Sequence, residues 1–124
     1  MAQNFTAMTL SAATNGLPIR ILAVATPGTT IHTATSADMP EGCDELYLWA
    51  ASITASPVNG ALQFSNDPGS TTRQITFRAP AAFNGPVAIL AGHRICDGVV
   101  VAATSSADGL VIWGNVNRIS GQGT

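Results

Sequence analysis

The stretch RQITFRA, residues 73 to 79, decides the fold class of this chain. Ile75, Phe77 and Ala79 are apolar, and polar Gln, Thr and Arg side chains alternate with them. Successive side chains of a β-strand point to opposite faces, so a period of two predicts a strand with one face in a core. We therefore expect Phe77 to point inward.

Seven further short runs have the composition of strands, and turn residues separate them roughly every ten positions. Asn59-Gly60 is the dipeptide of a two-residue hairpin turn and predicts a hairpin at that point, although Pro57 close before it leaves a longer loop open. The pattern predicts an all-β fold, a single-domain antiparallel β-sandwich of about eight short strands spanning residues 18–119. Residues 1–17 are expected to form an N-terminal arm or edge strand, and residues 120–124 a flexible C-terminal tail. The seven runs are PIRILAV (18–24), TTIHTAT (29–35), ELYLWAASI (45–53), ALQFSN (61–66), PVAILAG (86–92), GVVVAAT (98–104) and GLVIWGNVNRI (109–119).

The chain carries few charges for its size. Charged residues make up 10% of its 124 residues, against a usual share of about a quarter, while 46% are hydrophobic. Such a surface is expected to be covered in an oligomer or a larger assembly. The five basic residues are all Arg and are scattered, which argues against a nucleic-acid partner. No apolar run approaches the length of a membrane span, and the first residues lack a basic signal segment, so we expect synthesis in a cytoplasm and no membrane partner.

Two of the strands, residues 45–53 and 109–119, are apolar on both faces. Loops could cover the second face of each strand. Alternatively, Tyr47, Trp49 and Trp113 could face a partner subunit, since aromatic residues are enriched at interfaces. Arg118 is then a candidate to bond carbonyls or carboxylates across that interface with its planar guanidinium. A third possibility is that the aromatic rings stack on a sugar ring or a base.

Two clusters contain the residue types of metal sites and catalytic sites. His32 and Cys43 lie in TTIHTATSADMPEGCDE (29–45), and His93 and Cys96 lie in GHRICDG (92–98). Their spacing matches no familiar zinc site, and no nucleophile or phosphate-binding motif is present. A disulfide would require the two loops to meet. We expect reduced, metal-free thiols, no cofactor, no catalytic residues, and a loop in which the acids at positions 38, 41, 44 and 45 are mostly solvated.

Three phrases of the chain resemble a known class of proteins. LSAATNGLPIRILAVATPGTTIHTA (10–34), DELYLWAASI (44–53) and GLVIWGNVNRI (109–119) are similar to small all-β structural proteins of tailed-bacteriophage virions, in particular capsid decoration (cement) proteins. The resemblance implies a jelly-roll or related sandwich and a non-enzymatic homotrimer. It also implies attachment to the outside of a phage head, on the major capsid protein or another shell protein, after assembly in the host cytoplasm.

Phe5 and Met8 are the candidates for contact with the shell, because they lie in an N-terminal segment with too little pattern to fold alone. The alternative function is a carbohydrate-binding or receptor-binding β-sandwich module of a tail or spike. That module would use the same aromatic residues that the first interpretation places at a subunit interface.

Overall fold

The computed structural model describes residues 4–22, 28–34, 43–65, 73–96 and 98–120. In these ranges nine strands form two antiparallel sheets, and no helix is long and apolar enough to cross a membrane. A single 3-10 turn at Ala82–Asn84 precedes the seventh strand. The strands are β1 (Asn4–Thr9), β2 (Ile19–Ile21), β3 (Thr29–Thr33), β4 (Cys43–Ser52), β5 (Val58–Ser65), β6 (Gln74–Ala79), β7 (Val87–Cys96), β8 (Val100–Ser105) and β9 (Leu110–Ser120).

The strands pair in a nested order that defines a jelly roll. In the first sheet β1 and β2 both pair with β9, and the order continues from β9 to β4 and β7. The order in the second sheet is β3-β8-β5-β6. The outermost strands in the sequence therefore pair with each other, as do β3 with β8, β4 with β7, and β5 with β6. The predicted all-β antiparallel sandwich is confirmed.

The sandwich has two distinct ends. At one end β4, β6 and β8 finish, and we call it the Phe83 end after the residue in the β6–β7 connection. At the other end β4 begins and β7 finishes, and we call it the Cys43 end. The 3-10 turn of the Phe83 end is tied to the β4–β5 connection, because the Ala82 N–H donates to the Thr54 carbonyl at 2.9 Å.

The alternation along β4 shows how the core is filled. Leu46, Leu48 and Ala50 have no exposed surface, while Tyr47 and Trp49 between them are partly exposed on the outside of the first sheet. Apolar side chains from both sheets complete this core, as expected of a sandwich whose strands each contribute one apolar face. Its large members include Leu10, Ile21, Ile31, Leu62, Val101, Leu110, Ile112 and Val116.

In β6, the strand with the clearest alternation in the sequence, Phe77 points inward as predicted. This side chain is partly buried against the core, and Ala79 on the same face is fully buried. Ile75 shares the face but is 41% exposed, because it lies towards the Cys43 end at the open edge between β6 and β7. The face assignment is therefore right, and the depth of burial increases along β6 towards the Phe83 end.

The hairpin predicted at Asn59-Gly60 is wrong. Both residues lie inside β5, and β4 and β5 belong to different sheets, so residues 53–57 cross from one sheet to the other. Gly60 serves packing instead of a turn. A Cβ atom at this position would lie 2.6 Å from Cζ of Phe77, so only glycine leaves room for that ring.

The segment after β1 closes one long edge of the sandwich. The Ala12 N–H donates to the Ile31 carbonyl at 3.2 Å, and the Thr33 N–H donates to Ser11 Oγ at 2.9 Å, so this segment binds the edge strand β3. Leu10, which is 1% exposed, fills the space beneath it. Among the described residues, none covers the opposite edge, between β6 and β7, near the Cys43 end.

Phe77→Ala is expected to lower the free energy of unfolding by about 3 kcal/mol, since it removes an aromatic side chain packed against the core. The exposed neighbour Thr76 provides the control, because Thr76→Ala should change stability by less than about 0.5 kcal/mol. Urea denaturation of both variants gives the comparison. Equal stability of the two variants would mean that β6 presents the opposite face to the core.

Candidate functional site

A polar network is buried between the sheets at the Cys43 end. His32 in β3 and Asp44 in β4 have no exposed side-chain surface, and Nε2 of His32 lies 2.6 Å from Oδ2 of Asp44. Arg118 in β9 binds the same carboxylate with two parallel hydrogen bonds, from Nε to Oδ1 and from Nη2 to Oδ2, each 2.9 Å long. The network thus joins the second sheet to the two central strands of the first.

The backbone decides which nitrogen of the imidazole carries the proton. The N–H of Ser11 donates to Nδ1 of His32 at 3.0 Å, so Nδ1 is an acceptor and Nε2 donates to Asp44. Burial by itself would raise the pKa of Asp44. The hydrogen bonds and charge of Arg118, together with His32, outweigh burial and hold that pKa below its ordinary value of 3.8.

This network contains a Ser, a His and an Asp, but it is not arranged for nucleophilic catalysis. Ser11 contributes its backbone N–H to the imidazole, and its hydroxyl accepts a hydrogen bond from the backbone of Thr33. A catalytic triad requires the nucleophile's own oxygen within reach of the base, and a base that substrate can approach. Here His32 and Asp44 are completely buried, so the arrangement holds the sheets together and offers no reactive surface.

Two expectations about these residues differ from the structure. Asp44, expected to be solvated, lies in the core because the alternation of β4 places it on the same face as Leu46. Arg118, expected to bond across a subunit interface, binds Asp44 of its own chain with a side chain that is 29% exposed. Continuing the alternation of β4 from Leu46 back to position 44 would have predicted that this acid is buried. Of the other acids in that stretch, Glu45 is partly buried and binds Arg94, while positions 38 and 41 lie outside the described residues.

The expectation of reduced thiols is wrong. Cys43 and Cys96 lie directly opposite each other at the ends of β4 and β7 and form a disulfide. The strand pairing brings together two clusters 53 residues apart, which spacing alone could not show. With both sulfurs bonded to each other, the zinc alternative loses its thiolate ligands. No group of three or more potential metal ligands occurs among the described residues.

The outer surface of the first sheet carries a patch of aromatic and small apolar residues, with the charged residues Arg20, Glu45 and Arg94 at its borders. Trp49 and Trp113 lie directly opposite each other on β4 and β9, and Ala88 of β7 lies on the other side of Trp49. Tyr47 lies between Ala91 and Asn115 in the next row. We call the partly exposed aromatic residues and their apolar neighbours the aromatic face: Tyr47, Trp49, Ala51, Ala88, Ala91, Val111 and Trp113. The structure thus brings Tyr47, Trp49 and Trp113 together and leaves Arg118 on the inner side.

The N-terminal residues form an edge strand of the first sheet. Phe5 pairs with Ile119, and Met8 pairs with Val116. Met8 is partly buried and packs against the core, so it presents little side-chain surface to a partner. Phe5, one pair from the end of β1, remains the candidate of the two for contact with a shell.

A cleft of about 400 Å³ opens between β6 and β7 near the Cys43 end. Phe64, Ile75, Ile95 and Val99 give it apolar walls, and Arg73 and His93 also line it. The rings of Phe64 and His93 are 5.0 Å apart between centroids and tilted by 56°. His93 therefore contributes an aromatic surface to this cleft. The sequence did not predict the cleft, because its lining residues come from separate strands.

Asp44→Asn is expected to lower stability at neutral pH by about 3 kcal/mol, because it leaves Arg118 without its buried counter-charge. The pKa of Asp44 is depressed in the folded state, so its contribution is present above pH 3.8 and is lost as the pH falls through the folded value. Urea denaturation from neutral pH down to about pH 2 should show the wild type and the variant converging in acid. Glu45→Gln, which removes the acid of the neighbouring Glu45–Arg94 ion pair, is the control. A stability difference between the wild type and Asp44→Asn that stays constant over this pH range would contradict the assignment.

Removal of the disulfide is expected to cost about 4 kcal/mol, because the bond closes a long loop in the unfolded chain. The Cys43→Ala/Cys96→Ala double variant should melt at a lower temperature than the oxidised protein, and near the temperature of the reduced protein. Thiol titration of the unfolded protein gives the redox state directly. Two free thiols in protein purified without reductant would contradict the pairing.

No protein family matches this chain. No curated protein matches it either. Among solved structures, the "Glycosylation Associate Protein (Gap123) complex" from Streptococcus agalactiae is similar with a TM-score of 0.33 and 10% sequence identity. The match covers 96% of this chain but only 26% of that one. A similarity of this size carries no argument about function, so the function has to be argued from the surfaces of the molecule.

Proposed function

We propose that this protein is a non-enzymatic structural protein of a virion, a capsid decoration protein that forms a homotrimer and binds the outside of a phage head. The observation that carries the proposal is the aromatic face. It places two tryptophans and a tyrosine side by side on the outside of a sandwich whose core is already complete. A subunit interface gives these side chains a role that the isolated domain does not.

The physical properties of the aromatic face favour burial against a protein. Tryptophan and tyrosine dominate the energetics of protein interfaces, and interface centres are depleted of charged residues. The seven residues of the face are uncharged. Charged residues border it, as the polar rim of an interface would: the Glu45–Arg94 ion pair on one side, and Arg20, which pairs with Val111, on another. The low charge of the whole chain, 10% of residues, agrees with further covered surface.

The fold and the disulfide are compatible with this role. Jelly rolls occur in viral capsid proteins and also in lectins, so the fold alone does not choose a function. Disulfides persist at virion and cell surfaces, while cytoplasmic thiols stay reduced. We propose that, once the particle leaves the host cytoplasm, a small-molecule disulfide oxidises the Cys43 and Cys96 thiols by exchange and is itself reduced to two thiols. Phe5 on the edge strand β1 is the proposed contact with the shell.

The second candidate is a carbohydrate-binding or receptor-binding module of a tail or spike. It rests on the same rings, since tryptophan and tyrosine faces also stack on sugars. The two functions differ in what Trp49→Ala removes. For the binding module, the substitution removes glycan binding and leaves the native mass unchanged. For the decoration protein, it removes self-association. A glycan array combined with native mass measurement separates them.

Trp49→Ala is expected to weaken the trimer by about 2 kcal/mol per interface, because Trp49 lies at the centre of the aromatic face. Sedimentation equilibrium of the wild type should give three times the chain mass of 12.6 kDa. Thr104→Ala, on the outside of the second sheet, is the matched control and should leave the mass unchanged. A wild type that is monomeric at micromolar concentration, and absent from particles purified from the encoding strain, would overturn the proposal.

A further inference from the structure

Phe83 is presented to solvent on a hydrogen-bonded turn. Its side chain is 93% exposed, far more than the other large apolar residues at the surface. The turn that carries it is held by hydrogen bonds from the Ser52 N–H to the Pro80 carbonyl at 3.0 Å and from the Asn84 N–H to the Ala81 carbonyl at 2.9 Å. Because hydrogen bonds hold the backbone of this turn, binding has to order only the side-chain rotations of Phe83, which limits the entropic cost of using it as an anchor.

The cleft between β6 and β7 has the size and chemistry to receive such a ring. A cavity of about 150 Å³ lined by apolar side chains is enough to bind benzene, and this cleft holds about 400 Å³. Phe64, Ile75 and Val99 supply apolar contacts to a third ring. The tilted rings of Phe64 and His93 would extend into an aromatic cluster, an arrangement that stabilises contacts beyond the area buried.

We infer that Phe83 of one copy of this chain occupies the β6/β7 cleft of the neighbouring copy. The inference rests on the proposed homotrimer and names the surface of each subunit that its neighbour meets. Phe83 and the cleft lie at opposite ends of the same open edge. The strand from Val87 to Ile95 separates them by about 25 Å at about 3.3 Å per residue.

The contact joins two different surfaces, so it is heterologous. Heterologous contacts close into a ring when the rotation between copies permits it, and each copy then gives one anchor and receives one. In a closed trimer every Phe83 is buried in the cleft of a neighbouring copy, and every cleft is filled. This explains why a single chain carries both an exposed phenyl ring and an open apolar cleft.

A second copy is favoured as the occupant because the chain runs from the turn that carries Phe83 directly into the strand β7, which contributes to the aromatic face. Pro86 and Val87 connect the turn to Ala88, and Ala88 lies beside Trp49 in the first sheet. One neighbour can therefore cover the aromatic face and receive Phe83 in a single interface. A small apolar ligand in the cleft would leave Phe83 exposed.

The test begins with substitutions on each side of the contact. Phe83→Ala, which removes the anchor, and Ile75→Arg, which places a charge in the cleft, should each raise the dissociation constant of the trimer about tenfold or more. Leu17→Ala is the matched control, because Leu17 is a 61% exposed apolar residue near β2, away from the β6/β7 edge. The Phe83→Ala change touches no core residue, so its monomer should keep the wild-type melting temperature.

Mixing the two variants gives a sharper result. A Phe83→Ala copy keeps its cleft, and an Ile75→Arg copy keeps its Phe83, so one contact can form between them and no ring can close. Native mass spectrometry should then show a complex containing one copy of each variant. Absence of that complex, with each variant still trimeric, would overturn the inference.

A photo-crosslinking residue, p-benzoyl-phenylalanine, placed at position 83 maps the contact directly. The expected cross-linked peptides contain residues 73–77 or 93–99 of a second copy. Cross-links to any other surface of an intact trimer would overturn the inference and leave the proposed function standing. A monomeric wild type would overturn both. Binding of a small apolar compound in the cleft of an intact Phe83→Ala trimer would also overturn it.

Discussion

The carboxylate of Asp44, buried between the two sheets, is the constraint on which the rest of this structure depends. A charge that is removed from water costs several kcal/mol unless it is paired and fully hydrogen-bonded. Asp44 meets that condition only when β3 brings His32 from one side and β9 brings Arg118 from the other. A slip of β4 by one residue would turn Asp44 and the leucines of the core outward together, so the network and the apolar core specify the same register.

The same network explains how the two ends of the sandwich differ. At the Cys43 end, the buried carboxylate joins strands of both sheets, the backbone of Ser11 binds His32 of β3, and the disulfide joins β4 to β7 within the first sheet. At the Phe83 end, the connections are tied by backbone hydrogen bonds and by hydrogen bonds of uncharged side chains, among them Ser52, Thr54 and Ser105. The result is a framework closed along the β1/β3 edge and open along the β6/β7 edge. The surfaces that remain for partners are the aromatic face, the Phe83 turn and the cleft.

The sequence predicted the fold class because the alternation of β4 and β6, and the turn residues between strands, are local features. It predicted which aromatic residues share a surface, because Tyr47 and Trp49 differ by two positions and share one side of a strand. The Asn59-Gly60 hairpin failed because Gly60 makes room for the ring of Phe77, its cross-strand neighbour on β6, which is a contact between residues far apart in the sequence. The disulfide and the Asp44 network were missed for the same reason: the pairing of β4 with β7 and β9 joins residues that lie far apart in the sequence.

The proposed function rests on the surfaces of the molecule. The polar side chains that resemble a catalytic site are buried and hydrogen-bonded to each other. A domain with a complete core, a patch of uncharged aromatic residues and an exposed phenyl ring on a hydrogen-bonded turn has the properties of an assembly component. An electron cryomicroscopy reconstruction of particles purified from the strain that encodes the chain tests this most directly. The account predicts jelly-roll density in three-fold groups on the outside of the head, with the first sheet turned towards a neighbouring copy. A well-resolved head with no such density, or the protein found as single copies elsewhere in the particle, would contradict it.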